Sequence, residues 1–491
     1  MKRAHPLQKP MLTEIKKRLV DLFAVTTPAV WVLLALTIGA AAIVLPRSSA
    51  QKSGMKIWLF NKAHQDVYDR VARDWDSEQA TPATQIETLL IDMTALERRL
   101  LSGFMSGTPV ADLVETERSV AAKTFTGPVG DIGFVDITDR LHAEGLLDAI
   151  NGPSFAPWTS RGRIFGIPHD VHPVLLVYRS DIVETAGIDL SKVETWEDFF
   201  AAMRPLMVDE DGDGRPDRYP LNFWATQRQL LEILMLQSGG TLFDEREHVF
   251  INSERNAFVL ATLATWCGGP KRVVVDAAEF TAPGNTLKMR GTVIASLMPD
   301  WLGGVWKKDM PTLAGKLKLM PLPAWEKGGL RTSVIGGTML GIPKTTRDFE
   351  AAWAFAKRLY LDRDTHAKFF AKTTIIPPAK ASWSDPIFSA PDPYFSGQVS
   401  GQLFISQAGN VPARTSSPYN DLVVARLSDV LIALVDRVNQ EQITDPAVLL
   451  PEARERLAQA QREMKTLIER NVFLRDDGMS APAASAAAPV R

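Results

Sequence analysis

The sequence predicts an α/β protein of two lobes, each a sheet flanked by helices, behind an N-terminal apolar helix. Three observations carry this. The chain has 491 residues, whereas single domains typically run to about 100–150. From Met55 onward, short apolar runs alternate with longer stretches of helical spacing, the pattern of sheets covered by helices. The composition, 45% hydrophobic and 23% charged, is that of a globular chain.

The apolar helix is read from residues 28–46, PAVWVLLALTIGAAAIVLP, which contain no charge. Lys2, Arg3, Lys9, Lys16, Lys17 and Arg18 precede it. A basic flank before an apolar run places the N-terminus in the cytoplasm and the remainder outside. Two alternatives stand. Ser48-Ser49-Ala50 before Gln51 supplies the small residues of a signal-peptide cleavage site. The run is also close to the length that spans a bilayer, which makes a retained anchor. Leu12, Ile15, Leu19, Leu22 and Phe23 have helical spacing and either lie on the inner membrane surface or lengthen the basic region.

Charge and cysteine exclude several classes. The formal net charge of -2 gives no basic face for nucleic acid. The one cysteine, Cys267, allows no intramolecular disulfide and no cysteine-based metal site, and reads as a buried small hydrophobe. It lies far from the apolar run, so it is no lipid attachment site. Trp is unusually abundant, 12 against 6 Tyr. Its flat apolar face and single N–H suit stacking on ligands.

Within the exported part, residues 55–60 read as a first strand and residues 66–75 as a helix with Val67, Val71 and Trp75 on one face. Residues 85–91 form a second strand, 95–104 a second helix and 111–114 a third strand. This alternation predicts a parallel sheet, whose ligands sit beyond the C-terminal strand ends. Residues 61–64 and 115–118 are therefore the places to inspect. Further strands are expected at 174–178, 293–298 and 338–342, and helices at 195–203, 229–236 and 349–360. Residues 421–470 read as mostly helical, broken near Pro446 and Pro451. The tail from Asp476, DDGMSAPAASAAAPVR, is low in complexity and expected to be disordered. No internal repeat is found.

Several segments occur in a telling order. They are MKIWLF, LLSGFMSGTPVADLVE, GRIFGIPHDVHPVLLVYRSDIVETAGI, TWEDF, MPDWLGG, LKLMPLPAWEKGG, SVIGGTMLGIPK and EAAWAFAKRL. In that order and spacing the chain resembles the extracellular solute-binding proteins of ABC importers, in the sugar-binding branch that includes maltose-binding protein. The resemblance spans roughly residues 55–470. It implies a two-lobed periplasmic-binding-protein-like fold of type II, whose lobes are joined by crossing strands and close on a ligand. It assigns 55–160 with 331–362 to lobe 1 and 161–330 with 363–472 to lobe 2. Residues 1–27 are then the basic cytoplasmic segment, 28–46 the signal or anchor helix, 47–54 a linker and 473–491 the tail.

The resemblance also implies a carbohydrate ligand and permease subunits in the membrane as partners, with a monomeric binding protein outside the cytoplasmic membrane. A sugar has an apolar C–H face that wants an aromatic platform, and hydroxyls that want rigid polar partners. Trp301 in MPDWLGG falls where a stacking Trp is placed in the family, with core packing as the competing reading. Trp224 and Gln227 follow another strand end and match a second-lobe ligand loop, with even weight for packing. Glu115, Thr116 and Glu117 follow the third strand and either grip hydroxyls or cap a helix. His169, Asp170 and His172 form the densest polar cluster. Sugar contact is the favoured role and metal the alternative, since strand spacing puts 169 and 172 on opposite faces. The family's maltose binder carries a carboxylate at the position of His172, so the contact there should differ in kind. Trp58, Asn61 and His64 border the cleft at the first strand. Gly336 and Gly337 fit either backbone approach to ligand or a hinge turn.

Asp209, Asp211, Asp213, Gly214 and Asp217 match positions 1, 3, 5, 6 and 9 of a calcium loop. Position 12 is Pro220, so the bidentate Glu is missing. A structural Ca²⁺ and an acidic surface turn are both open. The expected function is capture of a mono- or oligosaccharide for an importer, with no catalysis and no other cofactor. An exported carbohydrate-active enzyme using Glu115 and Asp170, and a tethered sugar sensor, are the alternatives.

Overall fold

The computed structural model describes residues 27–48, 54–78, 85–244, 246–414 and 416–470. The basic segment, most of the linker and the tail lie outside the described residues. By compactness the chain divides into Met1–Gly54 with Ala80–Gln85, and Met55–Gln79 with Ile86–Arg491. In the first unit the apolar run is a helix, Pro28–Ser48. Among the described residues, no helix is long and apolar enough to cross a membrane.

The second unit holds two five-stranded sheets. Its strands in chain order are β1 (Met55–Leu59), β2 (Ile86–Leu90), β3 (Leu113–Glu117), β4 (Thr159–Ser160), β5 (Arg163–Ile164) and β6 (Ile167–Pro168). There follow β7 (Val174–Arg179), β8 (Tyr219–Asn222), β9 (Val274–Val275), β10 (Val293–Pro299), β11 (Leu317–Pro321) and β12 (Thr338–Gly341). The first sheet has the order β2-β1-β3-β12-β6 and the second β11-β7-β10-β8-β9, while β4 and β5 form a separate hairpin.

The expected parallel sheet is only partly so. β1 runs parallel to β2 and β3, but β12 runs antiparallel to β3 and β6. The reason is connectivity: β12 returns from the second sheet and so enters the first from the opposite end. Alternation within the strands matches the two-residue pleat. Ile57, Leu113 and Leu340 join one core with Trp353 and Phe355, while Val114 and Met339 join another with Phe134 and Trp158. The helix Phe349–Tyr360 has the expected bounds and buries Ala352, Trp353, Phe355, Ala356, Leu359 and Tyr360. Full burial of each large side chain contributes about 1.5–3 kcal/mol.

The chain crosses between the sheets three times, and the crossings hydrogen-bond to one another. Val174 N–H donates to Ser333 O at 3.1 Å, His169 N–H to Thr338 O at 2.9 Å, and Val171 N–H to Ile376 O at 3.1 Å. Around the second sheet, Thr195 caps Trp196–Met203 with a reciprocal capping box. Helices beyond those expected include Glu254–Cys267, Asp300–Asp309 and Arg363–Thr373. Glu254–Cys267 is apolar on most sides, being packed between other helices, so its periodicity is blurred. Residues 420–469 form two helices, Asn420–Glu441 and Leu450–Glu469, separated by the expected break. Cys267 is buried, and burial pushes its thiol up.

Candidate functional site

The polar cluster expected to face a ligand lies inside the junction between the sheets. Glu115, fully buried, accepts from the Tyr68 hydroxyl at 2.6 Å and the Tyr360 hydroxyl at 3.0 Å, and its Oε1 is 2.8 Å from His64 Nδ1. The His64 and His169 rings stack at 4.8 Å. Burial alone would raise the Glu115 carboxyl, but the His64 and His169 imidazoles and the Tyr68 hydroxyl outweigh it and hold it below its ordinary value.

Asp170 continues this network. One carboxylate oxygen lies 3.1 Å from His169 Nδ1 and 2.9 Å from His172 Nε2, and also accepts from Thr338 N–H at 3.1 Å. His169 and His172 thus flank one carboxylate instead of facing opposite ways. His172 has φ 52°, so the chain leaves the extended conformation there. On its far side, His172 Nδ1 is 2.7 Å from Asp300 Oδ1, and Asp300 Oδ2 accepts from Ile376 N–H at 2.8 Å. Burial lowers the His172 pKa, but the two carboxylates outweigh it and raise it to about 10. Their charges and bonds also hold Asp170 far below its ordinary value against the cost of burial. His64, Glu115, His169, Asp170 and His172 are thus all buried and each bonds to another protein group.

A second polar cluster, which the sequence did not single out, joins the two lobes. Arg118 follows β3, whereas Glu232, Arg414, Ser416 and Asn420 belong to segments packed on the second sheet. Arg414 binds Glu232 through both oxygens, Nε at 2.8 Å and Nη2 at 2.6 Å, and donates to Gly336 O at 2.8 Å. Asn420 Nδ2 donates to Glu232 Oε1 at 3.3 Å. Arg118 Nη2 stops 3.8 Å from the same oxygen. Arg118 is 3% exposed, yet among the described residues its Nε and Nη1 have no hydrogen-bond partner, nor do Ser416 Oγ and Asn420 Oδ1. Burial would raise the Glu232 carboxyl, and the two guanidiniums pull it down to about 2. Residue 118 was within the stretch after β3 that the sheet rule flags. Glu232 sits mid-helix and Arg414 in a loop, where no motif marks them.

Gly336 and Gly337 lie beside both clusters, with φ 97° and 118°. A Cβ at Gly336 would stand 2.8 Å from His172 Cδ2 and 3.1 Å from Trp301 Nε1. Arg118 N–H donates to Gly337 O at 3.0 Å. These two positions therefore need glycine for backbone angle, and the first also for space.

The remaining expected residues divide. Trp301 lies in the first turn of Asp300–Asp309, a helix where the flanking glycines suggested a loop. It packs against three cores, donates to Ile335 O at 3.2 Å, and is stacked by Phe280 at 6.0 Å and 7°. Phe280 is exposed and has φ 61°, so a strained, solvent-facing ring extends the Trp301 platform. Trp58 is half-buried against the Val114 core. Asn61 caps the next helix by accepting from Ala63 N–H at 2.8 Å. Glu117 likewise caps Arg118–Thr124 through Ser119 N–H at 2.8 Å, and Thr116 is fully buried. Trp224 lies under the Arg272 guanidinium at 4.9 Å, and Gln227 donates to Asn222 Oδ1 at 3.3 Å.

Lobe contact is extended by the β4–β5 hairpin. Glu247 Oε1 accepts from Arg161 N–H at 3.0 Å and from the Ser160 hydroxyl at 3.3 Å. Glu247 sits in the turn closed by the Phe243–Val249 bridge, whose residues pack on the second-sheet core.

In the acidic loop, Asp209, Asp211 and Asp217 offer oxygens within 4.8 Å of one another, and Asp213 lies outside that group. Asp209 accepts from Gly212 and Gly214 N–H at 2.7 and 2.8 Å, while Asp217 accepts from Glu210 N–H at 2.6 Å. Arg218 and Arg290 line the same recess.

Comparison with known proteins agrees with this architecture. The family model for bacterial extracellular solute-binding protein matches residues 67–364. An arabinooligosaccharide-binding protein of Halalkalibacterium halodurans is 24% identical over 407 residues, 81% of this chain and 87% of the relative. A lactose-binding protein of Rhizobium radiobacter is 24% identical over 383 residues, 76% of this chain and 86% of the relative. Among solved structures, the sugar-binding protein MalE from Xanthomonas citri superposes with TM-score 0.67 at 17% identity, covering 85% of this chain and 99% of that one. A binding protein from B. animalis subsp. lactis in complex with beta-1,6-galactobiose gives 0.59 at 18% identity, covering 85% and 97%. The fold is thus that of the two-lobed binding proteins, and the chain belongs to the bacterial extracellular solute-binding protein family.

Proposed function

We propose that the chain is the extracytoplasmic solute-binding component of an ABC importer and captures a carbohydrate between its lobes for delivery to a membrane permease. The observation that carries this is a set of buried polar atoms on facing lobes that have no hydrogen-bond partner among the described residues: Arg118 on one side, Ser416 and Asn420 on the other. Buried donors and acceptors are almost always satisfied, and a hydroxylated ligand held between the lobes would satisfy these. The likeness to an arabinooligosaccharide-binding protein and a lactose-binding protein supports a sugar. The Phe280–Trp301 pair offers the aromatic face a sugar needs.

The geometry favours a binder over a glycosidase built on Glu115 and Asp170. Such an enzyme needs one carboxyl with a raised pKa and a scissile bond between the two groups. Both carboxyls are instead held low and saturated by protein donors. Export by residues 28–46, with cleavage after Ala50 or retention as an anchor, belongs to the same proposal, as does a monomeric state. We also place a weak Ca²⁺ site at Asp209, Asp211 and Asp217.

The test is a thermal-shift screen against neutral and acidic oligosaccharides, with sugar recovered and quantified afterwards. A ligand at 100 times its Kd should stabilise the protein by about 2.7 kcal/mol, with the sugar intact. Turnover of the sugar would replace the binder reading with the enzyme one.

A further inference from the structure

We propose that the captured sugar is acidic: a glycan whose uronate carboxylate pairs with the Arg118 guanidinium between the lobes. This deepens the sugar-binding reading and rests on it.

The starting point is a charge imbalance inside the interlobe cluster. It holds two guanidiniums, Arg118 and Arg414, and one carboxylate, Glu232, all buried. Glu232 is already spent. Arg414 takes both of its oxygens, and Asn420 takes a second bond to Oε1. Arg118 reaches only to 3.8 Å from that oxygen, beyond hydrogen-bond range. The buried set therefore carries one positive charge in excess.

No other described carboxylate hydrogen-bonds to Arg118 Nε or Nη1. Glu117 and Asp421 act on Arg118 at longer range. The Glu117 carboxylate accepts from both the backbone N–H and the hydroxyl of Ser119. Asp421 is exposed, where water screens it. Burial and the neighbouring Arg414 act against the charged form of Arg118, and Glu232, Glu117 and Asp421 act for it, yet none of these carboxylates bonds to its Nε or Nη1, which leaves two buried donors for an anionic acceptor.

The chemistry of the unpartnered atoms narrows the anion. Arg118 Nε and Nη1 offer only donors, whereas Asn420 Oδ1 is an acceptor and Ser416 Oγ can do either. A hydroxyl of a neutral sugar would satisfy a donor but bring no charge. A fully deprotonated inorganic anion such as sulfate would bring charge but no donor for Asn420. A uronate brings both, a carboxylate for the guanidinium and neighbouring hydroxyls for Asn420 and Ser416. Charge-assisted hydrogen bonds of this kind are the stronger class.

The experiment is titration calorimetry on the full chain at fixed salt. The probes are disaccharides ending in galacturonate, glucuronate or mannuronate, the methyl ester of each, and each neutral counterpart. The expected result is at least one acid that binds tenfold or more tightly than both its ester and its neutral counterpart. Arg118→Gln should erase that preference, so that acid and methyl ester bind equally, whatever affinity for sugar remains. The esters remove the charge from the ligand alone, so the comparison stands even where the variant does not fold. Neutral sugars or esters that bind as well as the acids would overturn the inference and leave the sugar-binding reading in place. Absence of binding by every sugar in the panel, acidic and neutral, would overturn both.

Discussion

His172 Nδ1 lies 2.7 Å from Asp300 Oδ1, and the other nitrogen of the same ring lies 2.9 Å from Asp170 Oδ2. One imidazole thus ties the crossing segment after β6 to the helix after β10. It is a buried ion set, and removing one member leaves charges without partners. His172→Asn accepts the left-handed backbone but loses the cation. The expected destabilisation is about 3–5 kcal/mol, read from urea unfolding.

The same ring sets a pH dependence. Its pKa is raised from 6.5 to about 10 in the folded chain. A raised pKa gives stability that is complete below 6.5 and lost as pH rises through about 10. Stability should therefore fall over that window, by up to about 1.4 kcal/mol per pH unit. Asp170, held below its ordinary 3.8, works in the opposite sense, and its contribution is lost on acidification below that value. Unfolding midpoints between pH 3 and 10 in buffers of equal ionic strength, about 0.1 M, would show a maximum in the acid-to-neutral range. An unchanged alkaline slope in His172→Asn would assign the effect elsewhere.

Glu115→Gln separates structure from binding at a fully buried carboxylate. Two tyrosine hydroxyls and His64 depend on it. Leaving such donors poorly matched should cost about 1–3 kcal/mol. Ligand affinity measured well below the melting temperature should be unchanged. A large loss of affinity without loss of stability would return Glu115 to the binding surface.

Glu247 holds the lobes together at their rim, through Arg161 N–H and the Ser160 hydroxyl. Glu247→Ala should favour the open form without unfolding either lobe, changing stability by no more than about 1 kcal/mol. Apparent affinity falls by the fraction of molecules left competent to close. Small-angle scattering without ligand should show a larger radius of gyration than the parent chain, and saturating ligand should bring the two together.

The acidic loop should bind Ca²⁺ only in the range of about 10⁻⁴–10⁻³ M. Three carboxylates converge, but none is the bidentate Glu of a full loop, and Arg218 and Arg290 stand in the same recess. At a concentration equal to its Kd, the ion would add about 0.4 kcal/mol. Melting curves with calcium and with chelator should differ little. A shift of several degrees would mean that a further ligand completes the site.

The sequence alone determined the elements whose burial is one-sided. Val67, Val71, Trp353 and Leu359 recur at helical spacing because each helix lies on a sheet. The family segments fixed the two lobes for the same reason, since their order carries the crossings with it. Trp301 was legible as a special position, though its helix was hidden by Gly303 and Gly304. What only the tertiary structure decided was which polar residues meet. His169 and His172 share one carboxylate because a single backbone angle at His172 departs from the strand. Arg118, Glu232 and Arg414 lie far apart in sequence and are paired by the approach of two lobes. Local periodicity records which side of an element faces the core. Charge pairing between distant segments depends on distances that only the folded chain sets.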